Sequence, residues 1–391
     1  MIEKYDTYDE RYVDIISQPI IHYRVKIKTL DHYENTLGEF QQDIDIQNAG
    51  SISCTYNQGV RRTCTITLRN IFGNYLPNED SPFFINRKFR LLIGVKSDID
   101  EVYWWSQGVF ITTEVSAQDG NVTISGIDKF GYFTSDLKQY VLQTAHVIPA
   151  GTSVYDCIRD TITLDMGDNR PIDPIEPIIE EVFTKETFPY EIKKDAGTTL
   201  GDILEEMATA LNADIYYDRQ GRLNVRKLKT DDYQRIAPSW TFDNVKLSVN
   251  YAVKEAVNQV MVMGNNTSMP IYSYTAKNTN LQSPFRQSLI GVKAKEPVET
   301  PMGYCVERCK DYAEYLINKA SMIGMSVSFS TPVIPHISEN DIVWITSKEY
   351  SLENAPFVVN EISQPIGSGE TQYSVTNVQY LPFQDESRVI F

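Results

Sequence analysis

The side chains able to do chemistry in this 391-residue sequence are few and scattered: five cysteines, four histidines and 52 acidic residues. Hydrolysis through a nucleophile wants Ser or Cys beside His and an orienting carboxylate. His22, His32, His146 and His336 stand in no G-x-S-x-G elbow. His22 and His32 flank an alternating segment and read as surface or core positions, and His336, ahead of Glu339 and Asp341 in PHISEND, lacks a metal-ligand spacing. Cys305 and Cys309, spaced i, i+4, would share one helix face, but two further ligands are missing nearby, so they read as core residues. With Cys54, Cys64 and Cys157 they form an odd, unframed set, which argues against a disulfide-stapled secreted module. H-E-x-x-H, Walker and G-x-G-x-x-G patterns are absent, removing the main support for metalloprotease, NTPase and dinucleotide readings. Two carboxylates converging in space, as in a glycosidase, are invisible to spacing alone. Glu205 and Glu206, adjacent on the polar side of one helix, read as solvated charges. No catalytic residue, cofactor or metal is therefore expected, and a cell-wall hydrolase is the least favoured function.

Composition narrows the class further. A chain 42% hydrophobic and 23% charged suits globular protein, and its length calls for two to four domains. The acidic, aromatic start MIEKYDTYDERYVDII is no signal peptide. No stretch approaches the roughly 20 apolar residues of a membrane helix, so synthesis in the cytoplasm and no membrane partner are expected. A formal net charge of −16 opposes tight binding to nucleic acid, whose phosphates want clustered Lys and Arg. It suits a surface past which DNA slides, and equally ordinary solubility.

The elements that must position these side chains are mostly strands. HYRVKIKTL alternates Tyr23, Val25, Ile27 against Arg24, Lys26, Lys28, the period of a half-buried strand whose basic side reads first as a solvated sheet face and otherwise as a surface for an acidic partner. SISCTYNQGVRRTCTITLRN reads as strand, loop and strand, with Cys64, Ile66 and Leu68 opposing Thr63, Thr65 and Thr67. FRLLIGVKS and the hairpin QGVFITTEVSAQDGNVTISGID extend this β region over residues 21 to 135, in strands that suit a barrel or sandwich.

Residues 136 to 163 look helical, with Leu137, Tyr140, Val141, Val154, Cys157, Ile158 and Ile162 at helical spacing, followed by the Pro-rich loop DNRPIDPIEPIIEE. In GTTLGDILEEMATALNADIYYDRQGRLNVRKL, Thr199 and Asp202 make an acidic capping box. Leu200, Ile203, Leu204, Met207 and Leu211 form an apolar stripe, and a hairpin turning at DRQG follows. From WTFDNVKLSVNY the texture is β again, interrupted by a helix at 303 to 323. GVFITTEVSA (108 to 117) and APFVVNEISQ (355 to 364) align without gaps, sharing Phe, Glu and Ser, and raise the question of an internal repeat.

Two stretches carry a resemblance. GTTLGDILEEMATALNADIYYDRQGRLNVRKLK and WTFDNVKLSVNYAVKEAVNQVMVMGNN resemble consecutive segments of phage tail and baseplate hub proteins. ERCKDYAEYLINKA and PHISENDIVWITSKEYSLENAPFVVNEISQPIGSGETQYSVTNVQYL look like that family's closing region, and GVFITTEVSAQDGNVTISGIDKFGYF is similar to the end of its first barrel. The likeness runs in order through most of residues 21 to 382 and rests on pattern rather than on an invariant signature.

What the resemblance implies is a mainly β, α+β chain: an N-terminal arm (1–20), a first tail-tube-like β-barrel (21–135), an α/β insertion (136–235) and a second tube-like barrel (236–391) with a helix at 303–323 and a C-terminal tail. Such hubs occur in phages and phage-derived contractile particles. Three chains close into a ring, so two similar barrels per chain give six similar positions, adapting a sixfold tube to a threefold spike. The implied function is structural, in the virion at the tail tip or baseplate. The implied partners are two further copies, a tail-tube or distal tail protein on one side, and a spike, tip or fibre protein on the other, with DNA only as non-specific cargo. No lytic or spike domain follows in this sequence, so a hydrolase is expected on a separate chain.

Candidate interface residues are Arg24, Lys26 and Lys28 on the basic strand face, with Trp104 and Trp105. Neighbours on one strand, the two tryptophans point to opposite faces. One would be core and the other an interface anchor, unless both sheet faces are covered. The alternative function is a receptor-binding or carbohydrate-binding tail protein, suggested by 24 tyrosines and 4 tryptophans.

Overall fold

The computed structural model describes residues 2–378 except 42–48, 57–58, 71–72, 74, 77–80, 85–86, 98–100, 135–136, 138–140, 166–169, 228–236, 251–255, 266–269, 302, 323–324 and 368. An arm, β1 (Ile2–Tyr5) and α1 (Glu10–Ile16), leads into β2 (His22–Leu30), β3 (Thr36–Phe40), β4 (Gly50–Thr55), β5 (Arg62–Arg69), β6 (Lys88–Lys96), β7 (Glu101–Gln118) and β8 (Asn121–Asp128). A mixed segment follows: β9 (His146–Ile148), α2 (Val154–Ile162), β10 (Ile178–Ile179), α3 (Glu181–Thr184), β11 (Ile192–Lys194), α4 (Leu200–Leu211), β12 (Ala213–Tyr217) and β13 (Leu223–Lys227). The last part holds β14 (Trp240–Asp243), β15 (Ser248–Asn250), β16 (Gln259–Gly264), β17 (Ser273–Lys277), α5 (Gln287–Ile290), β18 (Val298–Thr300), α6 (Val306–Met322), β19 (Ser326–Pro332), β20 (Ile342–Ser347), β21 (Leu352–Pro365) and β22 (Glu370–Asn377).

Local sequence accounts for much of this. Asp119 and Gly120, both at positive φ, turn β7 into β8 as an Asp-Gly hairpin should. In β5, Cys64, Ile66 and Leu68 are buried while Thr63, Thr65 and Thr67 lie on the opposite face. Thr199 and Asp202 close the reciprocal cap of α4, whose Leu200, Ile203, Leu204, Met207 and Leu211 are buried against β12 and β13. The helix expected over 136–163 is only partly present. Its second half is α2, capped by Ser153, whereas Pro149 and Gly151 (φ +84) interrupt the chain before it, and His146–Ile148 pairs with β11 as a strand. Tyr140 lies outside the described residues.

The chain is mainly β, and most of its strands form one large sheet rather than two separate barrels: β15–β19–β22–β21–β4–β5–β8–β7–β6–β2–β3 are neighbours in that order, with β1 on β7, and β20 joining β21 to β14. No closed barrel forms among the described residues. One hydrophobic core runs beneath both halves, from Ile66, Phe89 and Phe110 to Phe329, Phe357 and Tyr373. The α2–α4 segment with β12 and β13 has its own core, and β16–β18 with α6 form a smaller one in which Cys309 is buried; Cys305 precedes the helix and is half-buried.

The C-terminal strands repeat the pairing of the N-terminal ones. β6–β7–β8–β5–β4 and β20–β21–β22–β19–β15 are both consecutive antiparallel neighbours. A bulge falls between Thr112 and Glu114 in β7 and between Val359 and Glu361 in β21. These are matching positions when GVFITTEVSA is laid on APFVVNEISQ. A second irregularity follows Leu91 opposite Gly108, and Ile345 opposite Ala355. The halves differ at their far edge, where β2 is antiparallel to β6 but β14 parallel to β20. They also differ between β15 and β19, where β16–β18 and α6 are inserted. The halves are joined strand to strand: Glu361, Ile362, Ser363, Gln364 and Pro365 of β21 face Thr55, Cys54, Ser53, Ile52 and Ser51 of β4.

Candidate functional site: a hydroxyl-rich sheet face and two open edges

Because side chains alternate across a strand, burying one face of the sheet commits the other. Ser51, Thr65, Ser125 and Glu114 stand opposite one another across β4, β5, β8 and β7. Ser248, Ser328, Ser374 and Glu361 form the same row across β15, β19, β22 and β21. Next to these rows run Thr67, Thr123 and Ser116, and Ser330, Gln372 and Ser363. All of these are half-buried or exposed, and the seam between β4 and β21 makes them one surface. The rows carry hydroxyls, an amide and carboxylates but no lysine or arginine; Lys246 sits at the rim of a shallow concavity on the C-terminal part. Arg69 continues the threonine row of β5 on the same face, opposite Asn121.

Among the strand edges open in the described residues, which include β3 and β14, two are related by the repeat. β15 pairs with β19 alone, and β7 beyond Glu114 pairs with β8 alone. The register of the repeat makes β15 the counterpart of β4, and the end of β7 the counterpart of the end of β21. These are the two strands that pair with each other inside the chain.

Behind the face, buried charge ties the halves together. Arg62 Nη2 donates to Ser338 Oγ at 2.7 Å and pairs with Glu339, while Nη1 donates to the Gln107 carbonyl at 3.1 Å. Burial pushes the Glu339 carboxyl up, but the Arg62 and Arg61 guanidiniums outweigh it and hold the group below its ordinary value. Asp128 accepts from the backbone N–H groups of Arg61, Arg62 and Phe130 at 2.8, 2.9 and 2.9 Å, yet burial pushes it up to about 6. His336 sits among Tyr8, Tyr12, Trp105 and Trp240, with Nδ1 2.8 Å from the Tyr12 hydroxyl, and burial pushes it down to about 4. The His336, Glu339 and Asp341 of PHISEND thus belong to a packed structural junction.

Two of the three basic side chains of β2 pair with carboxylates of the chain itself. Lys26 is buried, donates to Glu3 Oε1 at 2.8 Å and lies 4.5 Å from the centroid of the Trp104 ring. Lys28 pairs with Glu39 at 3.0 Å, and Arg24 stays exposed. Trp104 is covered by the arm and donates to Glu3 at 3.2 Å, while Trp105 points into the main core. Both are buried in the single chain, 1% and 8% exposed: Trp104 packs with Leu92 and Val102 beneath Glu3 and Lys26, and Trp105 packs in the main core against Tyr12 of α1. Sequence reasoning assigned Glu205 and Glu206 to the polar side of α4; Glu206 pairs with Lys194 at 3.3 Å. What it missed was the hydroxyl-rich face, although T-C-T-I-T and S-V-S-F-S carry the signal: the positions opposite the core are uniformly hydroxyls.

No protein-family model matches the sequence, and no curated protein matches it. Solved structures do. A tail protein from Neisseria meningitidis superposes with a TM-score of 0.60 at 11% identity, over 92% of this chain and 98% of that one. The 43 kDa tail protein of prophage MuSo2 from Shewanella oneidensis gives 0.56 at 10%, over 91% and 98%. A prophage tail protein from Listeria monocytogenes gives 0.55 at 10%, over 91% and 95%. The chain has the fold of these phage tail proteins along almost its whole length.

Proposed function

We propose that this chain, with the fold of phage tail proteins, is a structural hub whose copies join head to tail through their open strand edges into a ring of three. The observation that supports it is the seam. β4 pairs with β21 inside the chain, and their counterparts, β15 and the end of β7, are both open edges. Carrying the seam's register over sets Ser116 opposite Asn250 and Gln118 opposite Ser248 of a neighbour. Such a contact is heterologous, so it closes into a ring or runs on as a filament. Three chains supply six similar half-sheets, and the pair of tube-like barrels expected per chain becomes complete only when the neighbours' edges are filled.

In this arrangement the hydroxyl and carboxylate rows line the channel, where like charge keeps phosphate from adhering. The chain's role is positional: tail-tube or distal tail protein on one side, spike, tip or fibre on the other, DNA as non-specific cargo, and no catalysis. Its place is the virion.

The test is disulfide trapping. Opposed antiparallel residues have Cα atoms about 4.5–5.5 Å apart, within the range a disulfide accepts. Ser116→Cys with Asn250→Cys should give a covalent ladder ending at three chains, and each single variant should give none. Ser53→Cys with Ser363→Cys, across the seam, should cross-link within one chain and serves as the control. A ladder ending at two, or no interchain bond at high protein concentration while the control forms, overturns the ring.

A further inference from the structure

The segment inserted between β15 and β19 carries a loop unlike the rest of the chain. In a molecule of net charge −16, residues 270–295 hold four basic side chains, Lys277, Arg286, Lys293 and Lys295, and no acidic one. On the same stretch Leu281, Leu289 and Val292 stand 79%, 58% and 63% exposed. The loop is nonetheless firmly built. Asn258, fully buried, donates through Nδ2 to the Phe285 and Gly291 carbonyls at 3.0 and 2.8 Å and accepts from the Lys293 N–H at 2.7 Å. Asn278, also buried, donates to Ser283 Oγ at 2.9 Å. A loop ordered in advance loses little conformational freedom on docking, and clustered exposed apolar side chains mark a contact surface. Its charge selects an acidic partner.

The seam says where that partner lies. Beyond β4, Tyr56 donates to the Asn360 carbonyl at 2.7 Å, and Arg62 reaches Ser338 and Glu339 just ahead of β20. In the repeat β20 corresponds to β6, since Ile342 opposite Val358 matches Lys88 opposite Ile111. The chain that follows β15 in one copy therefore enters the next copy beside Lys88. Lys88 lies 3.8 Å from Glu34, Glu34 shares Lys129 with Asp173, and the Asp173 and Ile172 N–H groups donate to the Ile162 and Leu164 carbonyls at the end of α2. That region is acidic: residues 156–186 hold nine acidic and three basic side chains. Exposed Asp160 and Asp165 bracket Leu164, itself exposed. Asn258, which anchors the loop, is eight residues beyond Asn250, a reach of at most about 29 Å. The ring also needs a second contact, because β15 is three residues long and a stable interface covers roughly 800 Å² per partner. We propose that the loop of residues 277–295 docks on the end of α2 in the next copy of this chain, its apolar tip against Leu164 and its lysines against the flanking carboxylates.

This docking rests on the head-to-tail ring, and its test separates the two. The ring trapped by Ser116→Cys with Asn250→Cys is formed from a mixture of isotopically light and heavy full-length chains and treated with a carbodiimide, which joins lysine to a carboxylate in contact. Mass spectrometry should find mixed light–heavy cross-links from Lys293 or Lys295 to Asp160 or Asp165. Lys293→Glu with Lys295→Glu, both exposed, should raise the concentration for half-maximal assembly of the untrapped chain about tenfold or more. Adding Asp160→Lys with Asp165→Lys should restore it. A cysteine ladder with no such cross-links, or with cross-links inside single chains only, overturns the docking and leaves the ring standing. Absence of the ladder overturns both. Flotation of the chain with phosphatidylglycerol vesicles, lost in Leu289→Ser, assigns the loop to an anionic bilayer and overturns the docking as well.

Discussion

At the scale of single residues, Arg62 and Glu339 carry the largest stakes, because both are buried and come from opposite halves of the chain. Glu339→Ala leaves a guanidinium without its counter-charge and should cost roughly 3–5 kcal/mol in chemical denaturation. Arg62→Met combined with Glu339→Leu should recover most of that loss, since no charge is then stranded. His336 and Asp128 set the response to acid. His336 is held near 4, below its ordinary 6.5, so the stability it contributes is present above 6.5 and is lost as pH falls toward 4. The full effect is roughly 3 kcal/mol. Asp128 is held near 6, above its ordinary 3.8, so it gains stability as pH falls through the same window. The two titrations oppose. In melting curves from pH 6.5 to 4, His336→Gln should remove the acid loss, and Asp128→Asn should deepen it.

At the scale of elements, α4 shows how far local sequence reaches. Its cap, stripe and hairpin are set by neighbours in the chain, and all three are readable from GTTLGDILEEMATALNADIYYDRQGRLNV. Thr199→Ala should cost about 1 kcal/mol through the lost cap, measured by thermal melting. Gly201→Ala should cost more than that cap loss: a methyl there meets the Phe133 backbone carbonyl at 2.7 Å, so α4 must shift from its seat. Where elements depend on distant partners, legibility fails. Val141 sits at helical spacing from Leu137, yet it bridges to Thr199. Trp104 reads as a possible interface anchor because nothing in its own strand announces that Glu3 and Lys26 will enclose it. The repeat in β7 and β21 was visible as a ten-residue match, but only the shared bulge positions tie the two strands to one topology.

At the scale of the whole molecule, strand texture and the mainly β class follow from alternation, whereas the joining of both halves into one sheet does not. Alternation fixes which face a residue takes, and it is silent on which strand lies alongside. The hydroxyl-rich face yields a prediction that separates stability from function. Thr65→Lys with Ser328→Lys, both off the core, should change stability by no more than about 0.5 kcal/mol per site. The same pair should make assembled rings retain DNA in a gel-shift assay at low salt, which the parent rings should not.

The seam between β4 and β21 also has a history in time. Roughly 300 residues separate the two strands, and at synthesis rates of about 5–20 residues per second β4 leaves the ribosome some 15–60 s before its partner exists. For that interval the first half of the chain waits with an unfilled edge, beside other nascent chains on the same message in the same condition. A slower ribosome lengthens the wait and favours pairing with the wrong copy, so the yield of correctly joined chains depends on the pace of translation as well as on the sequence translated.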